Sequence, residues 1–293
     1  MANKKLKKAV STVLKIAISA VAIGYLVYSL SPEEEKDILN ALKSSNKGWL
    51  LVAFVLFNLS KIISSIRLNK YFNCLGLKLK EIYNLKLYYL GMFYNLFLPG
   101  GIGGDGYKVY LLHKKYDIKA KGLIAATLLD RLSGVVVLGF MALILALLST
   151  VEEIIPFQNV VLIIGMVAAF PIFWFVHNKF FKTFNPEFVR ALVMGFGVQL
   201  SQLICAAFIL LALNVEGSYF DYMTLFLVSS VVAVLPFTIG GVGARELVFS
   251  EGVVLFTSIA TFRPEALAFS VLFFVITAVS SLIGVVYTVK LKE

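Results

Sequence analysis

Apolar runs of about twenty residues, each closed by a short polar cluster, follow one another along this chain. Coiled as α-helix, a run of that length matches the hydrocarbon thickness of a bilayer. The pattern predicts membrane helices at 10–30, 48–67, 122–148, 158–176, 190–213 and 265–290. Two further apolar stretches, 82–113 and 221–260, are interrupted midway by Pro and clustered Gly, which break helices. The expected fold is an all-α integral membrane protein: about six transmembrane helices plus two Pro/Gly-broken re-entrant segments. The first run also resembles a signal peptide, with Ala20-Val21-Ala22 at a cleavage position. Its full length and the later runs favour an uncleaved helix.

The two interruptions are copies of one pattern. Leu98-Pro99-Gly100-Gly101-Ile102-Gly103-Gly104-Asp105-Gly106-Tyr107-Lys108 and Leu235-Pro236-Phe237-Thr238-Ile239-Gly240-Gly241-Val242-Gly243-Ala244-Arg245 align without a gap. Around them the chain divides into halves, 1–149 and 150–293, each reading helix, helix, re-entrant turn, helix. An odd number of crossings per half inverts the second relative to the first. Inverted repeats of this kind place transporter sites near the midplane, where broken helices meet. Irregular backbone survives there only when buried in protein or lining a cavity. The arm after the second turn, 244–260, is long enough to span, whereas 106–113 is not.

Composition narrows the class. With 59% hydrophobic residues, 15% charged residues and mean hydropathy +0.88, no segment suits a separate soluble catalytic domain. The net charge of +10 fits the positive-inside bias of membrane proteins rather than nucleic-acid binding. With the N-terminal lysines in the cytoplasm, seventeen cations fall inside, among them Arg67, and four outside, where Asp221 and nine other acids also lie. That orientation puts both termini in the cytoplasm. Cys74 and Cys205 match no redox or metal spacing and read as packing residues.

Ionisable residues inside apolar sequence are the candidate chemistry: Lys61, Asp105, Lys108, Asp130, Arg131, Arg245 and Glu246. At a helix centre such a charge costs about 2.5–3.5 kcal/mol, so partners or water are expected. Asp130–Arg131 and Arg245–Glu246 suggest neutralisation between neighbours. Lys108 and Arg245 suggest something further, because each follows a Gly-rich turn at the expected first turn of a resumed helix. Free N–H groups and the positive helix end attract anions, and Gly103, Gly104, Gly240, Gly241 and Gly243 allow close approach. A Lys or Arg there suits a headgroup phosphate. Asp105 would repel it unless the carboxylate caps the helix, pairs with Lys108, or binds a proton or a cationic headgroup. Asn58 and Asn95 read as interhelical hydrogen-bonding groups, and Gly134, Gly139, Gly195 and Gly197 as close-contact positions. No catalytic, metal or cofactor motif is present, so neither an enzyme nor a cofactor protein is expected.

Leu98–Lys108, Asp130-Arg131-Leu132-Ser133-Gly134 and the stretch ending Gly240-Gly241-Val242-Gly243-Ala244-Arg245-Glu246 together resemble the flippase-like transmembrane domain of lysylphosphatidylglycerol synthases and its stand-alone relatives. Asp130 stands where that family's pattern has Glu. The resemblance implies an inner-membrane protein that moves a lipid or lipid-linked headgroup between leaflets, with an anionic or aminoacylated phospholipid as partner. The soluble aminoacyltransferase domain of the full-length synthases is not expected here, nor is lipid synthesis. Two other readings are a non-catalytic membrane partner of a separate lipid- or glycan-modifying enzyme, and a small-solute secondary transporter.

Overall fold

The computed structural model describes residues 31–97, 103–152, 154–215, 218–234, 243–259 and 263–290. The predicted span 10–30 and the turn centres 98–102 and 235–242, with Gly240 and Gly241, lie outside the described residues. In chain order the α-helices are α1 (Pro32–Ser44), α2 (Lys47–Cys74), α3 (Glu81–Phe97), α4 (Gly103–Tyr116), α5 (Ala120–Leu148), α6 (Gln158–Phe180), α7 (Phe188–Leu213), α8 (Tyr219–Val234), α9 (Ala244–Gly252) and α10 (Arg263–Leu282), with a last short turn at Tyr287–Lys290. Among the described residues, five stretches are long and apolar enough to cross a membrane: α2, α5, α6, α7 with the 3-10 turn before it, and α10 with the 3-10 turn after it.

Local sequence explains the ends of the first helices. The Ser31 hydroxyl accepts the Glu34 N–H at 3.2 Å and Glu34 accepts the Ser31 N–H at 2.8 Å, a reciprocal cap. Helix α1 is amphipathic rather than spanning: Ile38, Ala41 and Leu42 pack on the core while Glu33, Glu35, Lys36 and Asp37 face out. Asn46 starts α2 by accepting the N–H groups of Gly48 and Trp49. By contrast α6 buries only Phe173 and His177 and leaves Val160, Ile164, Val167 and Ile172 exposed, as a helix facing lipid does.

The interrupted stretches form two antiparallel helical hairpins. In α3–α4, Asn95 meets Gly104, Gly91 meets Lys108 and Tyr83 meets Lys115. In α8–α9, Ser230 meets Arg245 and Leu225 meets Gly252. The 14 residues of α4 and 9 of α9 extend only about 21 and 14 Å, short of a ~30 Å hydrocarbon core. The arm 244–260 therefore does not continue as one spanning helix. It leaves helical form through Val253–Leu255, and Phe256 then bridges to Val151.

The hairpins open toward opposite ends of the bundle. The base of α3–α4 lies with Leu75, Asp117, Lys119, Lys121, Phe180 and Phe184, around a cavity of about 530 Å³. The base of α8–α9 lies with the α5–α6 connection, where Asp221 accepts the Thr150 N–H at 2.7 Å and the hydroxyls of Thr150 and Ser258 at 2.5 Å each. Asp221 is fully buried, not one of the exposed acids expected from the sequence, because this connection closes over it.

Two apolar cores, one toward each end, are separated by a polar band. Along α2 the first core holds Phe57 and the second Leu68, with Ser60, Lys61, Ser64, Ser65 and Arg67 between them. Along α5, Leu129 belongs to one core and Leu138 to the other, with Asp130, Arg131, Ser133 and Gly134 between. Along α7 the same interval separates Ala191 from Cys205 and carries Gly195, Gln199 and Ser201. Asp105 and Lys108 of α4 and Arg245 of α9 lie at this level too, so the fold gathers most of the buried charge of the described residues in one layer.

Candidate functional site

The first hairpin brings a closed ionic cluster into the band. Asp105, in the first turn of α4, takes Lys108 Nζ on one carboxylate oxygen at 2.7 Å and Arg131 Nε of α5 on the other at 2.5 Å. Lys108 also faces the Tyr88 ring, 5.0 Å from its centre. The helix itself is seated by backbone contact. A Cβ on Gly104 would lie 1.9 Å from the Gly91 carbonyl oxygen, and the Gly104 N–H donates to Asn95 Oδ1 at 2.8 Å. Lys108 is the sixth residue of α4, in its second turn, not the first turn predicted from the aligned pattern. Gly106 continues the helix, and the lysine side chain reaches back to Asp105 in the first turn.

Arg67 completes the cluster and was not among the sequence candidates. Its Nε donates to Asp130 Oδ1 at 2.7 Å and its Nη2 to the Asp130 carbonyl at 3.0 Å. It is 5% exposed, so it leaves the tally of cytoplasmic loop cations. Gly134 and Gly195 face its guanidinium, where a Cβ would come within 3.3 and 3.4 Å of a nitrogen. These glycines make room for the cation, a role beyond helix contact. The expected Asp130–Arg131 neutralisation is corrected as well. Adjacent helical side chains point about 100° apart, and the two residues pair with Arg67 and Asp105 instead. The sequence held one clue: a span with Ser60, Ser64, Ser65, Arg67 and Asn69 is too polar for lipid on that face.

The second hairpin is built differently. Gly243 takes φ +83° as N-cap of α9, a conformation for which Gly is the residue without a steric penalty. Glu246 accepts the Gly243 N–H at 2.8 Å and the Ser270 hydroxyl at 3.2 Å. Arg245 and Glu246 are therefore not the hydrogen-bonded pair that the sequence suggested. Arg245, in the first turn as predicted, donates to Ser230 Oγ at 3.3 Å. Its guanidinium lies 4.4 Å from the Phe273 ring centre and 5.6 Å from that of Phe226.

The remaining polar groups tie helices together. Asn58 of α2 accepts the Tyr89 hydroxyl at 2.7 Å and donates to Ser280 of α10 at 3.0 Å, the expected interhelical role. Among the described residues, no group of three or more His, Cys, Asp or Glu side chains is placed to hold a metal ion.

The comparisons with known proteins agree with this architecture at the level of family. Residues 12–284 match the family described as the lysylphosphatidylglycerol synthase TM region. Comparison with curated proteins gave no match. A match over nearly the whole length, with apolar helices long enough to cross a bilayer, identifies a multi-pass membrane chain of a lipid-related family. The chain belongs to the lysylphosphatidylglycerol synthase transmembrane-region family.

Proposed function

We propose that this chain moves a phospholipid, or a lipid-linked headgroup, between leaflets in the manner of a flippase or scramblase, and has no enzymatic activity of its own. One observation carries the reading: two hairpins that open toward opposite ends bring Lys108 and Arg245 into one polar band inside the bundle. A charge within the membrane is a functional residue by default, and paired broken helices supply the helix-end geometry that transporters use. The headgroup phosphate is received in the band by these cations, while acyl chains stay against the outer helix faces. The two halves, 1–149 and 150–293, act as inverted repeats around it. The end rich in Lys78, Lys80, Lys114, Lys115, Lys119 and Lys121 faces the cytoplasm of the inner membrane, in line with the positive-inside bias.

The test is reconstitution of pure protein into vesicles carrying fluorescent-tail analogues of anionic and zwitterionic phospholipids in both leaflets. Loss of the inner-leaflet signal to a membrane-impermeant quencher is expected with wild type. The Lys108→Ala/Arg245→Ala protein, still monodisperse, should slow it. Retention of the inner-leaflet signal with every lipid tried would overturn the proposal and favour a partner protein or a small-solute transporter.

A further inference from the structure

The cations of the polar band are unevenly compensated. Lys61, Arg67, Lys108, Arg131 and Arg245 face only three carboxylates, Asp105, Asp130 and Glu246. Asp105 and Asp130 are engaged by Lys108, Arg131 and Arg67, while Glu246 is hydrogen-bonded to Gly243 and Ser270 and acts on Arg245 through space without an ion pair. Lys61 of α2 and Arg245 of α9 are left. Among the described residues, neither has a carboxylate oxygen within 4.0 Å.

These two cations share one aromatic wall. Lys61 Nζ lies 4.3 Å from the Phe57 ring centre, Phe57 meets Phe273 edge-on at 5.7 Å, and Phe273 carries the Arg245 guanidinium at 4.4 Å. Phe226 closes the group, 4.8 Å from Phe273. Lys61 is also within electrostatic range of both Arg245 and Arg67. The buried Nη1 of Arg67 has no hydrogen-bond partner among the described residues. Like charges held together in a low-dielectric layer repel one another strongly. Aromatic faces attract each cation but supply no net negative charge.

We propose that Lys61 and Arg245, set against the Phe57–Phe273–Phe226 wall, form an anion site that selects lipids with a net-negative phosphate headgroup over zwitterionic ones. The inference rests on the transport reading above and makes it more specific. It moves phosphate recognition to the second hairpin and adds a residue from the opposite half of the chain. The Asp105 and Asp130 cluster is held together by its own ion pairs and acts as the brace against which that site is held. Arg245 supplies a fork that grips phosphate oxygens in parallel, and Lys61 supplies a point charge. The quaternary ammonium of a zwitterionic lipid would bring a further positive charge to a pair that already repels.

The experiment measures binding to the full chain in mild detergent of three probes: dihexanoyl phosphatidic acid, dihexanoyl phosphatidylcholine and inorganic phosphate. Wild type should bind the phosphatidic acid at least about tenfold more tightly than either of the others, the effect of one charge-assisted hydrogen bond. Lys61→Gln should remove that preference and Lys61→Arg should keep it. Equal affinity of wild type for both lipids overturns the site, as does phosphate binding as tightly as the lipid. Unchanged selectivity in a monodisperse Lys61→Gln protein does the same. If Lys61→Gln does not fold, Arg245→Gln replaces it with the same outcomes. The vesicle assay separates this inference from the broader one. Movement of both lipid classes at equal rates keeps transport and removes the selective site. Selective binding without movement keeps the site and removes transport.

Discussion

At aligned positions of the two hairpins, Lys108 reaches a carboxylate at 2.7 Å, whereas Arg245 meets a serine and two phenylalanine rings. The difference begins with one residue. Asp105 of the first copy corresponds to Val242 of the second, so only in the first hairpin does the aligned cation reach a carboxylate of its own hairpin as a direct ion pair. The second has Glu246 instead, spent on capping α9 at Gly243 and on Ser270. One repeated pattern thus yields an ion-paired brace on one side and a cation without a direct ion pair on the other. Buried ion pairs are costly to break and add little when intact, which suits a brace. A buried cation without a direct ion pair has its use in an outside anion.

Four substitutions break or sharpen this contrast. Arg67→Met strands Asp130 as a buried, unpaired charge, and should cost about 3–5 kcal/mol of stability in detergent melts. Arg67→Met/Asp130→Leu should recover most of that loss, and failure of the double variant to recover would refute the brace. Gly104→Ala is next: its Cβ would lie 1.9 Å from the backbone of Gly91. Backbone cannot swing aside as a side chain does, so α3 and α4 must part, at about 1–3 kcal/mol on the scale of overpacked cores. Thermal melts check it, and an unchanged midpoint would mean that the hairpin contact is dispensable.

Arg245→Met inverts the balance of effects. It strands no carboxylate, so stability should fall by no more than ~2 kcal/mol, the scale of a desolvated cation–π contact. Anionic-lipid affinity should fall by about tenfold or more, as for a lost charge-assisted hydrogen bond. Equal losses of fold and binding would make Arg245 a second brace and erase the difference between the hairpins. Lys43→Ala, on the exposed face of α1, should alter neither melt nor lipid movement. A change there would point to a role for α1 that the polar band does not explain.

Much of the architecture was legible because the bilayer imposes it. Among the described residues, five of the six predicted apolar runs of spanning length correspond to long helices, and the Pro/Gly stretches fall between the two arms of each hairpin. Asn58 and Asn95 found the interhelical bonds that buried amides require. The pairing of charges was not legible. Asp130 and Arg131 are adjacent in sequence, but helix phase sends them to different neighbours. Arg67 looked like a loop cation because it closes an apolar run, and only the packing of α2 against α5 shows it buried. The aligned turns also concealed a difference in register: Gly106 stays helical while Gly243 leaves helical form at φ +83°, so their cations fall in different turns.

The sequence by itself determined a helical membrane chain with two broken hairpins and charges that lipid would not tolerate unpartnered. Its hydrophobic pattern suffices for that, since length and polarity along one helix are local properties matched to the bilayer. Tertiary structure alone decided which charges cancel and which remain. Coulomb attraction depends on distances between residues far apart in the chain, and those distances exist only once α2, α5, α4 and α9 pack together between the apolar cores.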